Sequence, residues 1–256
     1  MRIHFSALIT TALVSASLIT TVPAAPIAMN LPGTTSYDGW ENMTSGNYPG
    51  YPGFGSSAAW PSPIGSNTTN SGDAVVNKVS GTANPAGASL YSGVYANTPP
   101  NTFGSTLVVS DTTVPLNLKN VVFQIDIGAA SGYDFYNGVL PTLSYNDGGQ
   151  NITATYSTIL SQVQDGTFTN PDTGLDEPVY ITLYGLQWDL SSVSTPINSI
   201  QISWSTVQHS QVYSLRLDQS DTFVQAIPEP STWFLLSLSI TALVAFRLHR
   251  RVAANR

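Results

Sequence analysis

The sequence predicts an all-β protein: a two-sheet antiparallel sandwich of jelly-roll type, preceded by a signal helix and followed by a single transmembrane helix. From Ala74 to Ile227, short runs of β-branched and aromatic residues alternate with turn-forming Gly, Pro, Asn and Asp. Charged residues make up only 9% of the chain, a proportion typical of extracellular β-proteins rather than disordered polyelectrolytes. Long apolar runs stand at the two ends of the chain. The same strand pattern also permits a barrel or an immunoglobulin-like strand order.

Residues 1–24 are predicted to be a signal peptide. Arg2 precedes an apolar run that extends to Val22, and Val22-Pro23-Ala24 supplies small or β-branched residues where signal peptidase expects them. Cleavage after Ala24 would make Ala25 the first residue of the mature chain. An uncleaved N-terminal anchor is the alternative. With either outcome, the general secretion machinery exports the middle of the chain.

Residues 25–73 are predicted to form an irregular Gly/Pro/aromatic-rich segment packed on the sandwich. The stretch from Tyr37 to Asp73 shows no period of 2 or 3.6 residues. It contains too many large apolar side chains for a solvated linker, and an aromatic sugar-binding surface is the functional alternative. These side chains are Trp40, Tyr48, Tyr51, Phe54 and Trp60.

Residues 74–227 are predicted to form the sandwich body, with eight or nine strands. In the stretch NVVFQIDIG, Phe123, Ile125 and Ile127 point to one face and the residues between them to the other, as in a half-buried strand. The sequence Asn-Asp-Gly-Gly at 146–149 predicts a hairpin turn, because these residues accept positive φ. The stretch 157–163 is compatible with one or two helical turns.

The composition of the body excludes several classes of function. Between Ala25 and Ile227, 14 acidic residues oppose three basic ones, a net charge of −11. This charge argues against binding nucleic acid, whereas Ca²⁺ and neutral sugars are compatible partners. Cysteine is absent, so disulfides and thiolate chemistry are excluded and the body depends on its core for stability.

The sequence does not indicate an enzyme. His209 is the only histidine of the body, is expected at a strand end or turn, and has no recognisable nucleophile motif beside it. Most acidic residues are expected in turns, where Asp is favoured for capping, and Asp126 alone is expected in the middle of a strand. Arg216, the only arginine of the body, is expected to form an ion pair with Asp126, Asp189 or Asp218.

One loop is a candidate Ca²⁺ site. In NPDTGLDEP, the carboxylates of Asp172, Asp176 and Glu177 could supply the oxygen ligands that Ca²⁺ prefers. The spacing does not fit an EF-hand, and a solvated acidic turn is the alternative reading. No other cofactor is predicted.

The following strand is a candidate ligand surface. Tyr180, Tyr184 and Trp188 are predicted to lie on one face, where exposed rings would form a stacking platform for a sugar. If they are buried, the same residues are ordinary core, and burial of one or both faces is favoured.

Residues 228–256 are predicted to hold a transmembrane helix at about 231–248 and a cytoplasmic tail at 249–256. The helix has 18 residues and would span roughly 27 Å, close to the thickness of the hydrocarbon core. A buried core helix is the alternative, but no polar stripe appears at helical spacing. Arginines behind a short span mark its cytoplasmic side. They are Arg250, Arg251 and Arg256, together with Arg247, which stands near the end of the helix and can extend its side chain to the membrane surface.

The C-terminal residues resemble the PEP-CTERM sorting signal of Gram-negative bacteria. Pro228-Glu229-Pro230 is followed by Ser231-Thr232-Trp233, a short hydrophobic helix and a terminal arginine cluster. The resemblance covers about 25 residues and implies recognition by an exosortase, a membrane cysteine protease that removes or transfers the tail. The protein would be anchored in the inner membrane before processing and would then reach the cell surface or the extracellular matrix.

These observations together predict an exported surface or exopolysaccharide-matrix protein whose body is structural and non-catalytic. Exopolysaccharide is a possible partner. Two alternatives remain open at the level of sequence: a carbohydrate-binding β-sandwich module, which requires exposed coplanar aromatics, and a glycan-acting hydrolase, which requires a carboxylate pair in a cleft.

Overall fold

A computed structural model describes residues 25–94, 98–129, 132–170 and 173–227 of the protein. The predicted signal helix and transmembrane helix lie outside these ranges. The described residues form two antiparallel sheets around one core, which confirms the all-β sandwich. Their helical structure is limited to a 3₁₀ turn at Tyr136–Gly138, and no helix within these ranges is long and apolar enough to cross a membrane.

The described residues contain thirteen strands. They are β1 (Thr35–Trp40), β2 (Ile64–Gly65), β3 (Val75–Gly81), β4 (Ala83–Ala86), β5 (Ser89–Ser92), β6 (Phe103–Asp111), β7 (Asn120–Ala129), β8 (Thr142–Tyr145), β9 (Ile152–Thr153), β10 (Tyr156–Thr169), β11 (Asp176–Asp189), β12 (Ile200–Val207) and β13 (Ser210–Ser220).

The strands form two sheets, here called sheet A and sheet B. Sheet A has the order β10-β11-β7-β13-β5-β4, and β1 pairs with the remaining length of β13. Sheet B has the order β2-β3-β6-β12-β8-β9. The facing sides of the two sheets meet in the core, where the rings of Phe123 and Trp204 pack with centroids 5.5 Å apart.

Strand β7 is buried on both faces. Phe123, Ile125 and Ile127 lie in the core, as the alternating pattern predicts. The expectation of a half-buried strand is wrong, because Gln124 and Asp126 on the other face are also at most 1% exposed. This second side of sheet A, turned away from sheet B, is called the outer face below. Segments from both ends of the described chain cover it.

Local turn chemistry is confirmed at the β8–β9 hairpin. Asn146 and Asp147 both have a φ of 51° and Gly149 has a φ of 64°, the backbone conformations that the turn sequence predicts. The stretch 157–163 belongs to strand β10, so the reading as helical turns is wrong. Pairing along β11 stabilises the extended conformation there.

The segment 25–73 is less irregular than expected, because it contributes strand β1 to sheet A and the short strand β2 to sheet B. Outside these two strands the segment follows an irregular path, and its aromatic rings pack against the sandwich and against one another. Trp40 is completely buried, and Trp60 donates its indole N–H to the Ala83 carbonyl oxygen at 2.9 Å. Tyr51 packs edge-to-face against Trp60 with the ring centroids 5.5 Å apart.

Candidate functional site

The N-terminal segment is attached to the outer face by the side chain of Gln124. The backbone N–H of Ile27 donates to Gln124 Oε1 at 2.8 Å, and Gln124 Nε2 donates to the Ile27 carbonyl oxygen at 2.6 Å. The amide therefore imitates one rung of a β-ladder, although the partner is a side chain. The segment that directly follows the predicted signal peptide is thereby fixed above β7.

Gln187 on β11 holds the C-terminal segment in a similar way. Its Nε2 donates to the Val224 carbonyl oxygen at 2.6 Å and to Asn120 Oδ1 at 2.7 Å. Its Oε1 accepts from the backbone N–H groups of Ala226 and Ile227, at 2.9 and 3.0 Å. Ile227 is completely buried. The described body is consequently packed up to the residue before the predicted sorting motif.

A cleft of about 360 Å³ lies on the same side of sheet A, lined by Ala25, Glu41, Asp126 and Tyr213 among others. Asp126 is 1% exposed, and neither of its carboxylate oxygens has a hydrogen-bond partner in the described part of the chain. Burial raises the pKa of Asp126 to about 7. Burial also raises the pKa of Tyr213 to about 12, helped by the charges of Asp165 and Asp126.

The aromatic side chains of β11 are mostly core. Trp188 is completely buried and donates its indole N–H to the Ile152 carbonyl oxygen at 2.9 Å. Tyr184 donates its hydroxyl to Asp134 Oδ2 at 2.7 Å, and its ring packs against the core. Tyr180 is 37% exposed. The three residues share a face, as predicted, but only Tyr180 is accessible for stacking among them.

The environment of Asp134 is also unusual for a carboxyl group. Burial raises its pKa to about 6, although hydrogen bonds from Tyr184 and Thr182 act in the opposite direction. Burial likewise raises the pKa of Tyr184, and the charge of Asp134 adds to the effect. Tyr184 therefore keeps its proton and donates it to Asp134 in the hydrogen bond between them.

The candidate Ca²⁺ loop is described in part. Asp176 accepts from Thr169 Oγ1 and Glu177 accepts from Asn170 Nδ2, both at 2.7 Å. Asp176 and Glu177 are consecutive residues of β11, so their side chains point to opposite faces of the strand. Asp172 lies outside the described ranges. No group of three or more metal-ligating carboxylates and histidines occurs within those ranges, and the Ca²⁺ hypothesis stays a prediction.

His209 and Arg216 have structural partners. His209 lies in the β12–β13 turn with a φ of 70°, and its Nδ1 is 2.8 Å from the hydroxyl of Tyr91. Arg216 forms an ion pair with Asp218 at 2.7 Å, which confirms one of its three predicted partners. Its guanidinium also lies 4.3 Å from the ring centroid of Tyr37.

The remaining predicted site residues lie outside the described ranges, except Ala25, which lines the cleft with Asp126. The outside residues are Val22, Ala24, Pro228, Glu229, Pro230, Ser231, Thr232, Trp233, Arg247, Arg250 and Arg251. Sequence reasoning missed Gln124 and Gln187 as attachment points. Their signal is a polar amide within an otherwise apolar strand, which reads equally well as a solvent-facing position.

The described residues define a β-sandwich in which the first and last described segments, near Ile27 and Ile227, both pack on sheet A. No family model, curated protein or solved structure matches the chain.

Proposed function

We propose that the protein is an exported component of the bacterial surface or exopolysaccharide matrix, with a structural, non-catalytic body. The general secretion machinery and signal peptidase act on its N-terminal segment. The C-terminal helix then tethers the chain in the inner membrane of a Gram-negative cell until an exosortase-type protease acts at the Pro228-Glu229-Pro230 motif.

The observation that carries this proposal is that the described body is packed up to Ile227. Ile227 is completely buried and hydrogen-bonded through Gln187, and the proposed motif begins at the next residue. Prolines at 228 and 230 disfavour helix on the preceding residues, so the motif would separate the body from the membrane helix as extended chain. A processing site of this kind is a boundary between a stable domain and a temporary anchor.

We also propose a jelly-roll topology for the sandwich. Neighbouring strands β1-β13-β7-β11 in sheet A and β6-β12-β8 in sheet B support it. The strands β6, β7, β8, β11, β12 and β13 alternate between the two sheets along the chain, as expected when Greek-key connections cross from one sheet to the other.

The packing of the aromatic residues supports a structural role over a carbohydrate-binding module. A stacking platform needs at least two exposed rings in one plane, and Trp188 and Tyr184 are committed to the core side of β11. A glycan array with the exported chain checks this point. Strong binding to one glycan class would favour the binding module, and release of reducing ends from exopolysaccharide would favour a hydrolase.

Replacement of Pro228, Glu229 and Pro230 by alanine tests the sorting proposal in a host that carries an exosortase. We expect the variant to accumulate at full length in the inner membrane, because the hydropathy of the helix is unchanged but the recognition element is lost. Fractionation followed by mass spectrometry of the C-terminus gives the answer.

Pro61→Ala/Pro63→Ala is the matched control, since it removes two exposed prolines from the body and leaves the motif intact. This control should be processed like the wild type. If the motif variant still reached the surface with its tail removed, the proposed role of the motif would be refuted.

A further inference from the structure

The buried carboxylate of Asp126 needs a partner that the described residues do not supply. Both of its oxygens are buried without a hydrogen bond, although it faces a cleft. An unpaired buried charge is strongly unfavourable, and such groups in folded proteins are normally protonated or matched by a cation. The three basic side chains of the body have other partners: Arg216 pairs with Asp218, Lys78 donates to Asn84, and Lys119 donates to the Val193 carbonyl oxygen.

The path of the N-terminal segment brings Ala25 to the cleft that Asp126 lines. Ile27 is paired with Gln124, so the segment crosses the outer face at that point. Ala25 lies two residues before Ile27 in this segment. Asp126 lies two residues after Gln124 in β7 and on the same face. Both steps cover about 6.8 Å of extended chain, and Ala25 and Asp126 line the same cleft.

We propose that the α-ammonium group of Ala25, created by removal of the signal peptide, enters this cleft and forms an ion pair with Asp126. The inference rests on the proposed export and on cleavage after Ala24. In the precursor the nitrogen of Ala25 is a neutral amide with one N–H. Hydrolysis adds water across the Ala24–Ala25 bond, the carboxylate leaves with Ala24, and the new amine takes a proton.

Signal peptide removal thereby adds a stabilising contact to the body. Before cleavage, folding must bury Asp126 without a cation, which disfavours the folded state above the usual pKa of a carboxyl group. After cleavage, the ammonium supplies a charge and three donors at the place where two acceptor oxygens lack partners. The other titratable groups near the cleft are Glu41, which is exposed, and Tyr213, which also interacts with Asp165.

The test uses the chain from Ala25 to Arg256 in detergent, released from an N-terminal tag by a protease that leaves no extra residue. Labelling of amines by reductive methylation allows NMR titration of the α-amine, with the two lysines of the body as internal references. We expect an α-amine pKa at least one unit above the usual value of about 8. In Asp126→Asn it should return to about 8. Glu41→Gln, in the same cleft, is the matched control and should change little.

A second comparison keeps the test informative if a substitution alters folding. A chain that retains Ala24 carries its ammonium about 3.4 Å further away in extended backbone, and it should unfold at a lower urea concentration than the Ala25 form. The same extra residue should have no effect in Asp126→Asn. An α-amine pKa of about 8 in the Ala25 form, or a response to Glu41→Gln without a response to Asp126→Asn, would overturn the ion pair.

This test is independent of the export proposal, because the tag protease creates the N-terminus. N-terminal sequencing of the protein exported by its host examines the predicted cleavage site separately. A start at a residue other than Ala25 would refute that site, whatever the result of the titration.

Discussion

Two carboxyl groups, the buried Asp38 and the half-buried Asp134, couple the stability of the sandwich to pH. Asp38 is 1% exposed, and burial raises its pKa from 3.8 to about 6 even though it accepts a hydrogen bond from the Ala74 N–H. The pKa of Asp134 is raised to about 6 for the same reason. Because the folded state holds these protons more tightly than the unfolded state, both groups favour folding at low pH and lose that advantage as pH rises from about 4 to about 7.

Replacement of Asp38 by Asn should reduce this pH dependence. The amide oxygen can still accept from Ala74, and the neutral side chain avoids a cost on the order of 3 kcal/mol for burying the charge at neutral pH. We expect Asp38→Asn to raise the urea midpoint at about pH 7.5 relative to wild type and to leave it nearly unchanged at about pH 4.

Asp147→Asn is the control for this prediction, because Asp147 is exposed in a turn where Asn is equally suitable. It should not alter the difference between the two pH values. Equal destabilisation by Asp38→Asn at both pH values would mean that the carboxylate is ionised and well paired in the folded protein.

At the residue scale, the sequence predicts the alternation of apolar side chains along a strand, but it does not predict contacts between residues far apart in the chain. The apolar residues of β7 at every second position identify its core side without any knowledge of the neighbours. Gln124 and Asp126 fit the same alternation as solvent-facing residues. Their burial depends on Ile27 and Ala25, which are about 100 positions away in the chain, and no local pattern reports such contacts.

Strand β11 holds the segment at 224–227, the last described part of the body, through the side chain of Gln187. Gln187→Leu should release this segment, because it removes the partners of two backbone N–H groups and of the Val224 carbonyl oxygen. We expect amide exchange at Ala226 and Ile227 to accelerate at least tenfold in the full chain, a change of about 1.4 kcal/mol in the local opening free energy.

Gln124→Leu is the matched control, since it releases the N-terminal segment from the same face by the same chemistry. It should accelerate exchange at Ile27 and leave Ala226 and Ile227 protected. Unchanged exchange at these two amides in Gln187→Leu would show that other contacts, such as burial of the Ile227 side chain, hold the segment.

At the element scale, predictions succeed where the chain determines its own conformation. The β8–β9 turn is specified by Asn146, Asp147 and Gly149, which accept positive φ. Strand β1 is different, because its extended backbone is stabilised by pairing with β13, in which Thr35 lies opposite Ser220. Ser157–Val163 has weak local preference, and its partner β11 determines that it is extended.

For the whole molecule, β13 is the strand on which sheet A depends. It pairs with β7 along one side, and with β1 and β5 along the other. A chain from Ala25 to Ile227 should therefore unfold in one cooperative urea transition, whereas a chain that ends at Val207 should show no such transition. Circular dichroism at increasing urea measures both, and a cooperative transition in the shorter chain would contradict the assignment.

Because β13 lies in the middle of sheet A, its position in the chain determines when this sheet can form during synthesis. Among the described strands, β13 is the last to be synthesised. Its pairings with β7, β1 and β5 therefore cannot form until nearly all of the body has been made. Until then the strands that pair with β13 keep unpaired edges. Such an incompletely folded chain can pass through a secretion channel, but it is also open to proteases and to aggregation with neighbouring chains. If the chain is exported as proposed, sheet A cannot be completed until β13 has crossed the membrane, so translocation of the body would precede its folding.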